Sequence, residues 1–285
     1  MKICVSGLGL IGGSLCLSLK RAGYTVYGCN RSREAADYAL KRGIIDGVAS
    51  SVEDFDVVFV ALPPQATVNY ILTTRFKDGA VVADICGVKR LIEDAVSKAD
   101  LNVRYVGTHP MAGKEVSGVS NACADLFDNA SMVLTRNKNT DPQAYDLIKK
   151  LVRDMGFKRL VECSAEVHDK KIAYTSQLAH VVSNCYVKDK TVESCLGFTG
   201  GSFQDMTRIA GVDEGVWSEL YLANADNLAR NISLLIDNLS EVKEAVADGD
   251  RSKLEEVLRH GREQFENGKN NSFQGDDIKT TLFKP

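Results

Sequence analysis

The segment Gly7-Leu8-Gly9-Leu10-Ile11-Gly12 constrains this chain more than any other. It follows a short apolar run at 2–6 and leads into a helix-like run at 14–22. A G-x-G-x-x-G in that place, inside a strand–helix–strand unit, is the phosphate-cradling turn of a dinucleotide fold. Gly7 permits the tight turn, Gly9 lets the backbone approach a pyrophosphate, and Gly12 lets the helix pack closely on the strand. Leu10 and Ile11 belong to the same cradle, where free N–H groups at the helix start hold phosphates. The first 20 residues also carry a Lys and an apolar stretch, as a signal peptide does. Four glycines (7, 9, 12 and 13) interrupt that stretch, no small-x-small cleavage site follows, and it is too short to span a bilayer.

The rest of the first half repeats the unit. Apolar runs at 25–28, 57–61, 80–84 and 104–107 alternate with helical patterns at 33–42, 66–74 and 91–99. Near-continuous apolar strands between helices mean a parallel sheet covered on both faces. A further unit follows, with a strand at 132–134, Asp141-Pro142 as N-cap and first helical residue, a helix at 143–155, Gly156 as stop, and a strand at 158–161. Beyond Ser164 the pattern is helical, at 166–188, 216–246 and 252–266, with no good strand, and 267–285 reads as irregular. The expected fold is therefore α/β. An N-terminal Rossmann-type doubly wound parallel sheet spans 1–162, and an all-α C-terminal domain spans 163–285. Leu228, Ile232, Leu235, Ile236 and Leu239 recur at helical spacing and form either core or a dimer seam.

Composition narrows the function classes. The 285 residues are 44% hydrophobic and 26% charged, which is ordinary for a globular protein. With 35 basic and 38 acidic residues the formal net charge is −3, which argues against a nucleic-acid partner. Eight cysteines occur without a C-x-x-C pair, so no structural metal site is expected. They read as reduced thiols of a cytoplasmic protein, with no membrane partner.

Two loops carry the chemistry. At the end of the second strand, where NAD binders place an acidic residue for the ribose 2′-hydroxyl, the sequence has Gly28-Cys29-Asn30-Arg31-Ser32-Arg33. A carboxylate would repel a 2′-phosphate, whereas Arg binds one through charge-assisted hydrogen bonds. Asn30, Arg31, Ser32 and Arg33 thus point to NADP, with NAD as the alternative; otherwise the two arginines are solvated helix-start residues. The second loop, Gly107-Thr108-His109-Pro110-Met111-Ala112-Gly113, follows a strand at the ligand-binding end of such sheets. An imidazole there accepts the hydroxyl proton that an alcohol loses as hydride departs. Ser176 and His180 share a helix face. Arg208, in a mostly apolar stretch, either forks onto a substrate carboxylate or pairs with Asp205.

These segments together resemble the prephenate/arogenate dehydrogenase family of tyrosine biosynthesis. The match is carried by GLGLIGGS (7–14), Asp84–Lys89, GTHPMAGKEVSG (107–118), YTSQLAH (174–180) and GGSFQDMTRIA (200–210), in family order. The resemblance implies NAD(P)-dependent oxidative decarboxylation of prephenate, with arogenate as the alternative substrate, by a homodimer joined through its helical half. It makes His109 the catalytic base and Arg208 the carboxylate binder. Ser176, His180, Glu115, Gly201 and Asp205 become substrate-site residues, and Lys89 a cofactor residue. Where many members carry a serine near the histidine, this chain has Gly87, preceded by Cys86. Lys114 and Gln177 replace a hydroxyl residue and a histidine. A β-hydroxyacid dehydrogenase, with Lys170 or Lys171 as its catalytic lysine, is the competing reading.

Overall fold

The structure, a computed structural model, describes residues 1–270 and 278–283. The first half runs β1 (Ile3–Ser6), α1 (Leu10–Arg21), β2 (Val26–Cys29), α2 (Arg33–Lys41), β3 (Gly47–Val48), β4 (Val57–Val60), α3 (Pro64–Thr73), β5 (Ala80–Asp84), α4 (Arg90–Ser97) and β6 (Val103–Pro110). It continues with β7 (Ser131–Thr135), α5 (Pro142–Asp154) and β8 (Arg159–Cys163). The second half contains α6 (Ala165–Ile172), α7 (Leu178–Tyr186), α8 (Gly201–Thr207), α9 (Glu214–Leu222), α10 (Ala225–Ala247), α11 (Arg251–Asn270) and a last strand, β9 (Lys279–Leu282).

One sheet holds all nine strands in the order β3-β2-β1-β4-β5-β6-β7-β8-β9. Its pairs are parallel except β6 with β7 and β8 with β9. The period-2 geometry of a strand sends successive side chains to opposite faces. Ile3 and Val5, Val57 and Phe59, and Val81 and Ala83 enter one buried cluster with the helix residues Leu15, Leu19 and Ile148. Cys4, Val58, Val60 and Val82 enter the cluster on the other face, with Ile71 and Ile92. That two-sided burial is why these strands read as continuous apolar runs rather than alternating ones.

The caps behave as their residue types dictate. Ser32, Asp141, Ser164 and Asp213 each accept a backbone N–H of the helix they open. Gly156 ends α5 with φ +93°, a conformation that only glycine adopts without strain.

Several expectations change. The first helix starts at Leu10, four residues early, because Gly9 itself is the N-cap. The run 166–188 is interrupted by a π-helical turn at Ala173–Gln177, and 216–246 breaks at the buried Asn224. The tail is not uniformly irregular: α11 continues to Asn270 and Lys279–Leu282 is a strand, while 271–277 and 284–285 lie outside the described residues. β9 pairs antiparallel with β8, from Arg159 opposite Leu282 to Glu162 opposite Lys279. It caps β8, whose backbone groups on that side would otherwise be an open edge. The sheet therefore draws in four residues from beyond the helices.

Candidate active site

The glycine turn is built for a pyrophosphate. Gly7 has φ +99°, and a Cβ there would overlap the carbonyl of Ala61. A Cβ on Gly12 would overlap the carbonyl of Gly7. Gly9 is the opposite case, since its Cβ would meet nothing within 4 Å. The turn is thus closed where it touches protein and open where a phosphate would lie. Leu10, Ile11 and Gly12 begin α1, where N–H groups have no intrahelical acceptor. These residues fit a dinucleotide.

Asn30 and Ser32 are engaged by the protein's own backbone. Asn30 Oδ1 accepts the Leu8 N–H at 2.9 Å and so ties the end of β2 to the glycine turn. Ser32 Oγ caps α2 by accepting the Ala35 N–H at 3.2 Å. Arg31 is exposed, and Arg33 is 89% exposed with Asp37 at 3.6 Å.

Lys89 departs from its expected role. It is fully buried, and its ammonium donates to Asp84 and to the Thr108 carbonyl (2.7 Å). Asp84 also accepts the Tyr105 hydroxyl at 2.5 Å and the Cys86 N–H at 2.8 Å. With no exposed surface, the Lys89 ammonium cannot meet a ligand at the glycine turn. It braces β5 against β6 instead.

That brace presents His109 at the end of β6. The imidazole Nδ1 lies 2.9 Å from His168 Nε2, and His168 Nδ1 lies 2.7 Å from Asp169 Oδ1. His168 is buried, as is Asp169. The Asp169 carboxylate accepts the backbone N–H groups of Lys89 (2.8 Å) and Arg90 (3.0 Å), which open α4. Burial alone would raise the Asp169 pKa, but the His168 and backbone hydrogen bonds hold it below the usual carboxylate value. Burial holds His109 well below the ordinary imidazole value, and the neighbouring His168 and Lys89 push the same way. His168 is also lowered by burial, against the pull of Asp169.

The helical half closes over this ring. A Cβ on Gly87 would stand 3.8 Å from His109 Nε2 and 3.2 Å from Leu220 of α9. Gly87 therefore lets backbone pass close to the imidazole. Cys86 is buried, and burial pushes its thiol up to about 12, so it stays neutral. Gln177, on the π-helical turn, donates to the Leu220 carbonyl (3.0 Å) and accepts from Asn224 (2.9 Å), which fixes the α9–α10 corner. Arg90 donates to Asn224 and in a fork to Asp226, locking α4 to α10. His180 Nδ1 lies 3.0 Å from the Ser176 carbonyl, and its ring packs against Trp217 with centroids 3.8 Å apart. The helix-face pair is thus joined through backbone rather than through the serine hydroxyl.

Arg208, the last of the expected ligands, pairs with Glu115 from the loop after His109 rather than with Asp205. Both partners are at least half exposed, so the pair bridges the halves at the surface. Asp205 and Gly201 are exposed on α8 beside it. Lys170 and Lys171 are exposed on α6, whereas the buried polar positions there are His168 and Asp169.

Two family models match most of this chain. The nucleotide-binding domain of prephenate dehydrogenase matches residues 15–161, and its dimerization domain matches 164–260. The chain belongs to the prephenate dehydrogenase family. Prephenate dehydrogenase of Bacillus subtilis (strain 168) is 31% identical over 267 residues, spanning 88% of this chain and 72% of that protein. The structure of prephenate dehydrogenase from A. aeolicus, in complex with hydroxyphenyl propionate and NAD+, superposes with a TM-score of 0.79. It is 29% identical, over 94% of this chain and 98% of that one. Synechocystis arogenate dehydrogenase superposes with a TM-score of 0.77 at 25% identity, over 94% and 99% of the two chains.

Against this family background, sequence reasoning missed His168, Asp169 and Trp217. The adjacent His-Asp at the start of a helix and the chain's one tryptophan were the signals on offer. Neither is distinctive without knowing what packs against it. No helix among the described residues is long and apolar enough to cross a membrane.

Proposed function

We infer that this chain oxidises and decarboxylates prephenate to 4-hydroxyphenylpyruvate, using NADP in preference to NAD. The observation that carries the reaction is His109, whose Nδ1 is taken up by His168 while Nε2 lies beside Gly87, which Leu220 of α9 overlies. A bound nicotinamide would accept hydride from C4 of the substrate. His109 Nε2 takes the C4 hydroxyl proton, so the oxygen's electrons can form the carbonyl as hydride leaves. Loss of the ring carboxylate as CO₂ then gives the aromatic ring. Arg208 is the cation offered to the substrate carboxylate, and it would exchange Glu115 for that group. Packing of α9 over Gly87 shields the imidazole from water on one side.

NADP is favoured by what ends β2. No carboxylate stands there, and Arg31 and Arg33 are exposed beside the glycine turn. The likeness to the Synechocystis arogenate dehydrogenase supports arogenate as the second reading. The helical half would join two copies, because Leu234, Ile236 and Leu239 on α10 and Leu258 and Phe265 on α11 are exposed. The eight free thiols accord with a reducing cytoplasm.

The test is a side-by-side rate comparison of prephenate and arogenate with NADP and NAD, on wild type and His109→Asn. Wild type should turn over prephenate with NADP fastest. The variant should keep dinucleotide affinity and lose roughly 10²–10⁴-fold in turnover. An Asn variant with near-normal turnover removes His109 from the role, and faster turnover of arogenate or with NAD reverses the corresponding preference.

A further inference from the structure

We propose that His168 and Asp169 are positioning residues that force His109 into the one tautomer able to act as a base. The inference rests on His109 being that base, and it concerns how the ring is held rather than which residue reacts.

The hydrogen-bond inventory decides the direction of each contact. An ionised carboxylate has lone pairs and no proton, so Asp169 Oδ1 can only accept. His168 Nδ1 must therefore donate to it across 2.7 Å. A neutral imidazole carries one N–H, so His168 Nε2 is bare and accepts from His109 Nδ1–H across 2.9 Å. That leaves the lone pair of His109 on Nε2, which with Cε1 forms the edge of the ring beside Gly87. Were the Asp169 carboxylate absent, His168 could turn its N–H toward His109. Nδ1 of His109 would then accept and Nε2 would carry the proton, which makes it useless as a base.

Asp169 is itself held at both carboxylate oxygens. Its Oδ1 accepts the Lys89 N–H and its Oδ2 the Arg90 N–H and side chain, so the first turn of α4 grips the carboxylate. Other groups around the two rings do not compete for these contacts. Asp84 on β5 and Lys89 after it are spent on each other and on Tyr105 of β6. Cys86 is a neutral thiol, Arg90 meets Asp169 only at Oδ2 and otherwise faces Asp226, and α9 presents Leu220. When His109 takes the substrate proton on Nε2, its Nδ1–H stays on His168. The new positive charge is then faced, through one ring, by the Asp169 carboxylate.

The experiment combines imidazole ¹⁵N NMR of the protein without cofactor with kinetics of two variants. In wild type His109 should show the Nδ1–H tautomer with a bare Nε2. His168→Ala should lose that signature and drop kcat on the order of a hundredfold, with KM for both substrates within about threefold. His168→Gln, whose amide oxygen can accept the Nδ1–H, should recover at least about tenfold of that loss. A wild-type His109 with the proton on Nε2 overturns the proposal outright, whether or not the alanine variant folds. So does a folded His168→Ala with wild-type kcat and tautomer. If instead His109→Asn stays active while the Nδ1–H tautomer is present, the base assignment fails and the ring geometry stands.

Discussion

Replacing Lys89 by Met separates a structural lysine from a cofactor ligand. The methionine side chain fills similar space and removes the ammonium. Asp84 would then stay buried with the Tyr105 hydroxyl and the Cys86 N–H as its remaining partners, and the Thr108 carbonyl would lose its donor. Removing one member of a buried ion pair costs about 3–5 kcal/mol, because the other charge remains buried and uncompensated. At about 2–4 °C per kcal/mol for a chain of this size, Tm should fall by about 6–20 °C. Thermal unfolding followed by circular dichroism measures this directly. The double variant Asp84→Asn/Lys89→Met removes the stranded charge as well and should regain a large part of the loss. Dinucleotide affinity of the folded Lys89→Met protein should change little. A Tm unchanged within about 2 °C, together with an affinity loss of about tenfold or more, would refute the reasoning and make Lys89 a ligand after all.

The buried imidazoles set a pH dependence of stability. His109 and His168 both have lowered folded-state pKa values, so between the ordinary value near 6.5 and those lower values the unfolded chain binds protons that the folded protein does not. Stability is therefore complete above about pH 6.5 and falls as pH drops, by up to about 1.4 kcal/mol per unit for each ring. Urea midpoints that stay level from pH 7 to about 5.5 would contradict this. Arg208→Ala should raise KM for the substrate on the order of tenfold with little change in Tm, since its ion pair with Glu115 is solvent-exposed and contributes little to folding. Unchanged KM places Arg208 outside the site. Arg31→Ala/Arg33→Ala should lower kcat/KM for NADP relative to NAD by roughly tenfold or more, and an unaltered ratio rejects the 2′-phosphate assignment. Leu239→Arg should shift the protein toward a monomer in light scattering if the exposed α10 face is the seam between copies.

What the chain's order of residues determined alone is local and repetitive. Continuous apolar runs at 57–60 and 80–83, set between helical patterns, mean strands buried on both faces. Gly7, Gly9 and Gly12 specify a turn through steric limits that act within a few residues, and Asp141-Pro142 and Gly156 bound α5 by the same short-range rules. His109 was legible because it stands at the carboxyl end of a strand of that sheet, though β6 runs on through Pro110 where a loop was expected, and the ligand-binding end of such a sheet is set by topology. The tertiary structure decided everything that depends on meeting a distant partner. Ala165–Ile172 reads as an ordinary charged helix, and only its docking on α4, about 80 positions earlier, buries His168 and Asp169 beside His109. Lys89 looks like a loop lysine until the β5–β6 pairing closes Asp84 and Thr108 around it. Lys279–Leu282 has too little apolar character to announce a strand, and it becomes one because β8 leaves a row of backbone groups to pair. Periodicity and turn chemistry are properties of neighbours in the chain. Burial, proton direction and ion pairing belong to neighbours in space, and folding chooses those.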